Sequence, residues 1–165
     1  MDSLTTLDEI VEAARALPGT LVDAAGPSTG APEAVWGDVF LSFDPTGELP
    51  AERRFPFATV VRSDSDGAAS ILDRPDVFRF NVGVGRVRFE ELLGFAPSAN
   101  GDRAAAFNYT VLDQLLPHPW YASQAWVCVL NPGVRTAELA AALLVEAHGR
   151  EAARHAALHP GGSLG

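Results

Sequence analysis

His118 sits between Pro117 and Pro119, just ahead of Trp120 and Tyr121. A proline after a residue drives that residue's backbone toward the extended region, and a proline before it stiffens the approach. The imidazole is therefore presented at a fixed angle, where it can contact a ligand, pass a proton, or simply bond to backbone as a turn histidine. Asp38, two residues after Trp36, can orient that imidazole or bind a donor. Its ordinary alternative is a solvated outward position on a half-buried sheet. Arg79 and Asn81 share one face of a strand if that segment is extended, because side chains alternate with period two. Such a face is either solvated or the polar floor of a pocket, in which Arg79 pairs with an anionic group and Asn81 fixes its orientation.

Other residues carry weaker signals. Gly83-Val84-Gly85-Arg86 leads into a helix whose free N–H groups can hold an anion, but it lacks the spacing of a dinucleotide loop and the ending of a phosphate loop, so a plain strand-to-helix turn is the simpler expectation. Trp36, Trp120, Tyr121 and Trp126 can line an aromatic pocket. Trp126 reads as core, whereas Trp120 on the proline-rich loop is harder to explain by packing. Cys128 between two valines reads as a small buried hydrophobe. His148, His155 and His159 lack metal-ligand spacing, so neither metal nor cofactor is expected.

All 12 basic residues among the 165 are arginine, against 21 acidic residues, for a net charge of −9. Such a chain is a poor partner for nucleic acid. The acidity is concentrated in residues 1 to 66, and Arg74, Arg79, Arg86 and Arg88 fall close together, so a modest positive patch is expected there. A chain of this length can bury a core without staples. One cysteine and no Cys/His cluster give no sign of an oxidising compartment. The sequence has no long apolar run and begins Met1-Asp2-Ser3 without a signal-peptide pattern, so a cytoplasmic protein without membrane attachment is expected.

The elements that position these residues follow from periodicity. Thr6 and Glu9 form a capping box that opens a helix with Leu7, Ile10, Val11, Ala14 and Leu17 on one face, ended by Pro18-Gly19. Strands are predicted at residues 20–25, 33–43, 55–62 and 77–84; the third carries Phe55, Phe57, Thr59 and Val61 on one face, the fourth Phe78, Phe80, Val82 and Val84. A helix through Leu93, a polar connection at 96–106, an ambiguous stretch at 107–116 and a strand at 124–130 follow. The last helix runs from about Thr136 to His155, with Leu139, Ala142, Leu143 and Ala147 inward and a Glu146–Arg150 pair on its surface. One α+β domain spans residues 1–165, with an ordered core over 5–157 and a flexible tail over 158–165. An antiparallel sheet of five or six strands has the first and last helices packed on its Phe78/Phe80/Val82 face.

The stretch from Leu72 to Gly83, Pro117-His118-Pro119-Trp120-Tyr121, Trp126-Val127, Asn131-Pro132, Trp36-Gly37-Asp38 and Pro56-Phe57-Ala58-Thr59 resembles a bacterial family, the domain of unknown function numbered 6194, over residues 7 to 155. More distantly, the helix ending in Leu-Pro-Gly, the Pro-x-x-Tyr before a Trp-Val strand and the long closing helix resemble the MmcQ/YjbR-like proteins. That likeness implies a small α+β double-wing fold and a suggested association with DNA.

The residues favour a non-catalytic small-molecule-binding or interaction protein, with a ligand site built from Trp36, Asp38, Arg79, Asn81, His118, Trp120 and Tyr121. An alternative is a small hydrolase or isomerase using His118 with Asp38. A second, nucleic-acid binding by fold analogy, is opposed by the charge. A loop histidine serving such a site is expected to contribute little to the core.

Overall fold

The computed structural model describes residues 5–63 and 69–159. Helix α1 (Leu7–Arg15) starts where its cap dictates: the Thr6 hydroxyl accepts from the Glu9 amide at 3.1 Å and the Glu9 carboxylate accepts from the Thr6 amide at 3.0 Å. It buries Ile10, Val11 and Ala14. Strands β1 (Thr20–Ala24), β2 (Val39–Phe43), β3 (Ala58–Val61) and β4 (Arg79–Gly83) follow, then α2 (Arg86–Leu93), the single turn α3 (Asn100–Arg103), β5 (Leu115–Pro117), β6 (Trp126–Leu130) and α4 (Ala137–Leu158). The sheet order is β1-β2-β3-β4-β6-β5, antiparallel at every pairing. The architecture is the expected α+β one. The pleat sends Leu41, Val60, Phe80, Val82 and Val127 into one core with Ile10 of α1 and Leu143, Leu144 and Ala147 of α4. The opposite face carries Thr59, Arg79, Asn81 and Cys128.

Several boundaries differ from the sequence reading. Residues 33–38 are not strand. Glu33–Val35 wind into a 3-10 turn after Pro32, with Val35 and Trp36 amides donating to Pro32 and Glu33 carbonyls, and Gly37 takes φ of 95°. The third strand starts only at Ala58, because Pro56 has no N–H for a ladder. Phe57 then leaves the alternation and enters the helix-side core, its ring 5.9 Å from that of His148. The 96–106 connection is itself wound into 3-10 turns and α3. On α4, Leu143 and Ala147 are buried and Leu139 packs against the core as expected, Ala137, Ala140, Leu144 and His148 are buried with them, and Ala142 is exposed. Glu146 bonds Arg88 at 3.0 Å rather than Arg150, which donates to the Gly83 carbonyl at 2.7 Å. Of the flexible tail expected over 158–165, Leu158 is the last residue of α4, and residues 160–165 lie outside the described residues. No helix of the described residues is long and apolar enough to cross a membrane.

The start of α4 is capped from a distance. Thr136 makes no side-chain cap of its own. Asp113 instead accepts from the amides of Gly133, Arg135 and Thr136 at 2.8, 3.0 and 3.0 Å and from the Thr136 hydroxyl at 2.7 Å. Gly133 permits this approach, since a Cβ there would lie 3.0 Å from the carboxylate. Burial pushes the Asp113 carboxyl up, but the hydrogen bonds from Thr136, Arg135 and Gly133 outweigh it and hold it below the usual value. Asp113→Ala is expected to destabilise by about 2 kcal/mol, the upper end for a lost N-cap, because alanine also strains at the φ of 56° found there. Asp113→Asn, which tolerates that backbone and keeps one acceptor, should lose about half as much. Since the folded-state value is depressed, this contribution is full above the unfolded carboxylate value and fades as pH falls through the folded one. Urea titrations at neutral and acid pH check both statements.

Candidate functional site

The site is built on the sheet face away from the helices. Asn81 stands opposite Thr59 on β3 and Cys128 on β6, and Arg79 stands opposite Val61 and Leu130. Both polar residues are buried, Arg79 at 0% and Asn81 at 1% exposure, so this face is not a solvated one. Burial obliges polar groups to find partners. Arg79 Nε donates to Asn81 Oδ1 at 2.8 Å and its terminal nitrogen donates to Ser70 Oγ at 3.1 Å; Asn81 Nδ2 donates to Thr59 Oγ1 at 2.9 Å. The direction of this chain is fixed at its first link, because a guanidinium can only donate. Its last member, the Thr59 hydroxyl, has an accepted bond and a proton with no acceptor among the described residues.

His118 follows β5 directly. Its amide donates to the Trp126 carbonyl at 3.0 Å, and its Nδ1 accepts from the amides of both Trp120 and Tyr121, each at 3.0 Å. A nitrogen that accepts two N–H groups carries no proton, so the neutral ring holds its proton on Nε2. Nε2 has no hydrogen-bond partner among the described residues. The ring lies 4.9 Å from that of Tyr121 and is perpendicular to the Trp126 indole at 6.3 Å. Burial, and then the positive charge of Arg79, lower the imidazole to about 3. The ring is therefore uncharged across the physiological range.

These groups meet in a cleft of 510 Å³. Phe40, Val61, Tyr121 and Trp126 form apolar wall, Asp38, Thr59, Asn81, His118 and Gln124 supply polar atoms, and Phe55, 79% exposed, stands at its edge. Trp126 lies close over β4 at Gly83, where a Cβ would be 3.0 Å from the indole and would push it aside by a few tenths of an ångström.

The sequence-derived candidates divide. Asp38, Asn81, His118 and Tyr121 line this one cleft, and Arg79 lies beneath it, joined through Asn81. Trp36 and Trp120 do not line it; the Trp36 indole donates to the Ala31 carbonyl at 2.9 Å, and Trp120 is 47% exposed. Asp38 is neither solvated nor hydrogen-bonded to His118. It is 1% exposed, and its oxygens accept from the Arg62 amide and the Ser63 hydroxyl, both at 2.7 Å. His118 is likewise no detachable loop residue, being 2% exposed and bonded to two amides. Sequence reasoning misses Phe40, Thr59 and Val61 as lining residues and places Trp126 in the core. Their even spacing with Asn81 across the register is a usable signal.

The four arginines of the expected patch do not gather in one place, and Arg86 alone of them stands exposed with no side-chain hydrogen bond or ion pair among the described residues. Arg79 is buried, Arg74 donates to the Ser70, Ile71 and Thr110 carbonyls, and Arg88 pairs with Glu146 and Glu91. Gly83 to Arg86 lead from β4 into α2 as the plain strand-to-helix turn expected, with the Arg150 guanidinium in the space where a Cβ of Gly85 would stand. Among the described residues no three His, Cys, Asp or Glu side chains are grouped to hold a metal ion. Cys128 is buried as expected.

The chain belongs to a family of unknown function, DUF6194, whose model matches residues 5–159. Among solved structures it is similar to a crystal structure of the Deinococcus radiodurans protein DR2400, with a DUF419 domain, at 17% identity over 87% of this chain and 76% of that one, with a TM-score of 0.50. That likeness concerns the fold alone, and DUF419 is a family distinct from DUF6194. No curated protein matches the chain. The MmcQ/YjbR-like resemblance is not among these matches.

Proposed function

We propose that this DUF6194 member is a small-molecule-binding protein whose cleft takes an apolar, ring-containing ligand. The observation that carries this reading is His118: a buried imidazole whose Nδ1 is held by two amides and whose Nε2 proton is left without a protein partner among the described residues, beside an apolar-walled cleft. That donor is not sealed inside the protein but opens onto the cleft, where a ligand acceptor can meet it. The exposed ring of Phe55 stands at the edge, where a ligand in the cleft would meet it. Proton transfer is less well supported. Asp38 is engaged elsewhere, and an imidazole lowered to about 3 makes a weak base at neutral pH. Nucleic acid is disfavoured by the net charge of −9 and by the dispersal of the arginines at 74–88.

Thermal melts test this. Ligand raises folded-state stability by RT ln(1 + [L]/Kd), about 2.7 kcal/mol at a hundredfold excess over Kd. A panel of neutral bicyclic aromatics should raise the melting temperature of the wild type and leave Thr59→Trp, which fills the cleft from β3, unmoved. Absence of any shift in the wild type, or equal shifts in the two proteins, would sink the proposal.

A further inference from the structure

We infer that the cleft selects an uncharged aromatic carbonyl compound, holding its oxygen by hydrogen bonds donated from His118 Nε2 and Thr59 Oγ1; this rests on reading the cleft as a ligand site. Beside the acceptors that Asp38 and Gln124 bring to the lining, two donors face the cleft without a protein partner among the described residues. The chain that begins at Arg79 Nε runs through the Asn81 amide and ends at the Thr59 hydroxyl, so every link points its proton toward the cleft. His118 arrives at the same polarity by a separate route, because the Trp120 and Tyr121 amides occupy Nδ1 and force the proton to Nε2. Two independent networks thus offer unpaired donors to one space.

A matching ligand must bring an acceptor. A carboxylate or phosphate would satisfy the donors, but Asp38 already brings a carboxylate to the described lining, and the Arg79 guanidinium beneath it is turned to Asn81 and Ser70 rather than into the cleft. A charged ligand would also leave its own water behind at high cost. A carbonyl oxygen accepts two hydrogen bonds without carrying a charge. Rings from Phe40, Tyr121 and Trp126 supply faces and edges for the aromatic body.

Three probes of one shape separate the possibilities: 2-acetylnaphthalene, 2-isopropenylnaphthalene, in which a CH₂ replaces the oxygen, and the anion 2-naphthoate. Binding is followed by quenching of tryptophan emission. The ketone should bind the wild type roughly tenfold more tightly than the alkene, since the alkene leaves desolvated donors unpaired. It should also bind at least tenfold more tightly than 2-naphthoate. His118→Phe should erase most of the ketone's advantage, and Thr59→Val, which keeps shape and removes only the hydroxyl, should reduce it several-fold. Equal affinity of ketone and alkene for the wild type overturns the carbonyl assignment while leaving the cleft a ligand site. Tightest binding of 2-naphthoate overturns it in favour of an anion site. Failure of all three to bind overturns both this inference and the reading beneath it. Because the ketone-to-alkene ratio is measured on the wild type, it decides the matter whether or not either variant folds.

Discussion

Arg79→Met will destabilise the protein by about 3 kcal/mol or more, although methionine fills much of the space of the arginine stem. Arg79 is fully buried, and its guanidinium donates to Asn81 Oδ1 and Ser70 Oγ. Removing the donors leaves two buried acceptors unpaired, at about 1 to 3 kcal/mol each. Packing loss adds to this wherever methionine falls short of the original volume. Arg79→Lys should recover little, since an ammonium on a shorter stem cannot reproduce the planar geometry that reaches both partners. The damage should extend to the cleft. Without Nε–H the Asn81 amide loses what fixes its orientation, and the Thr59 hydroxyl then loses its assigned direction. Guanidinium titrations of the three proteins at neutral pH check the first claim. A loss below about 1 kcal/mol in Arg79→Met would mean that the buried cation is neutral to stability, as some buried charges replaced by apolar groups are.

The contrast between the two faces of β4 explains how far the sequence can be read. Alternation of Phe78, Phe80 and Val82 with Arg79 and Asn81 divides the strand as the structure does, because the pleat enforces period two whatever covers the sheet. Alternation does not say whether the second face meets water or more protein. Leu72 and Val77 pack with Val61 and Leu130 beside Arg79, Ser70 bonds its guanidinium, and Asn81 lies at the floor of the cleft with His118, so that residues the alternation leaves undecided become a buried chain of donors. Thr6 and Glu9 are legible for a related reason: a capping box closes within four residues, so its whole geometry lies in adjacent sequence. Asp113 caps α4 from 20 or more residues away, and a bond of that span has no local signature. His118 falls between these cases. Its flanking prolines signal a fixed presentation, and its bonds to Trp120 and Tyr121 are local, yet which nitrogen they occupy depends on the turn Tyr121 makes toward β6. Asp38 is misread from sequence because the segment before it has the look of a strand, whereas Pro32 and Gly37 wind it into a turn and send the carboxylate inward to Arg62 and Ser63.

The second large effect is on acid stability. His118 titrates near 6.5 when unfolded and at about 3 in the folded protein, so between those values the unfolded chain binds a proton that the native state refuses. Protons taken up on unfolding make stability rise with pH. The contribution is therefore complete above about 6.5 and falls by about 1.4 kcal/mol per pH unit as the solution is acidified toward 3. Two structural causes set the shift: the ring is buried, and Arg79 places a positive charge where a second one would form. Protonation would also set an N–H on Nδ1 against the amides of Trp120 and Tyr121, breaking both bonds that hold the loop. His118→Asn isolates the effect, since its amide oxygen can occupy the Nδ1 position and accept from the same amides while carrying no titratable group. The variant should be somewhat less stable at neutral pH and nearly flat between about pH 6.5 and 5, where the wild type loses about 2 kcal/mol. Below that range carboxylates such as Asp113, held low in the folded state, add their own losses to both proteins. Chemical denaturation at half-unit pH steps resolves the difference. Parallel curves for the two proteins over that same range would show that His118 accepts its proton as readily folded as unfolded, and that its Nδ1 is not held by the Trp120 and Tyr121 amides, which is what assigns the neutral ring's proton to Nε2.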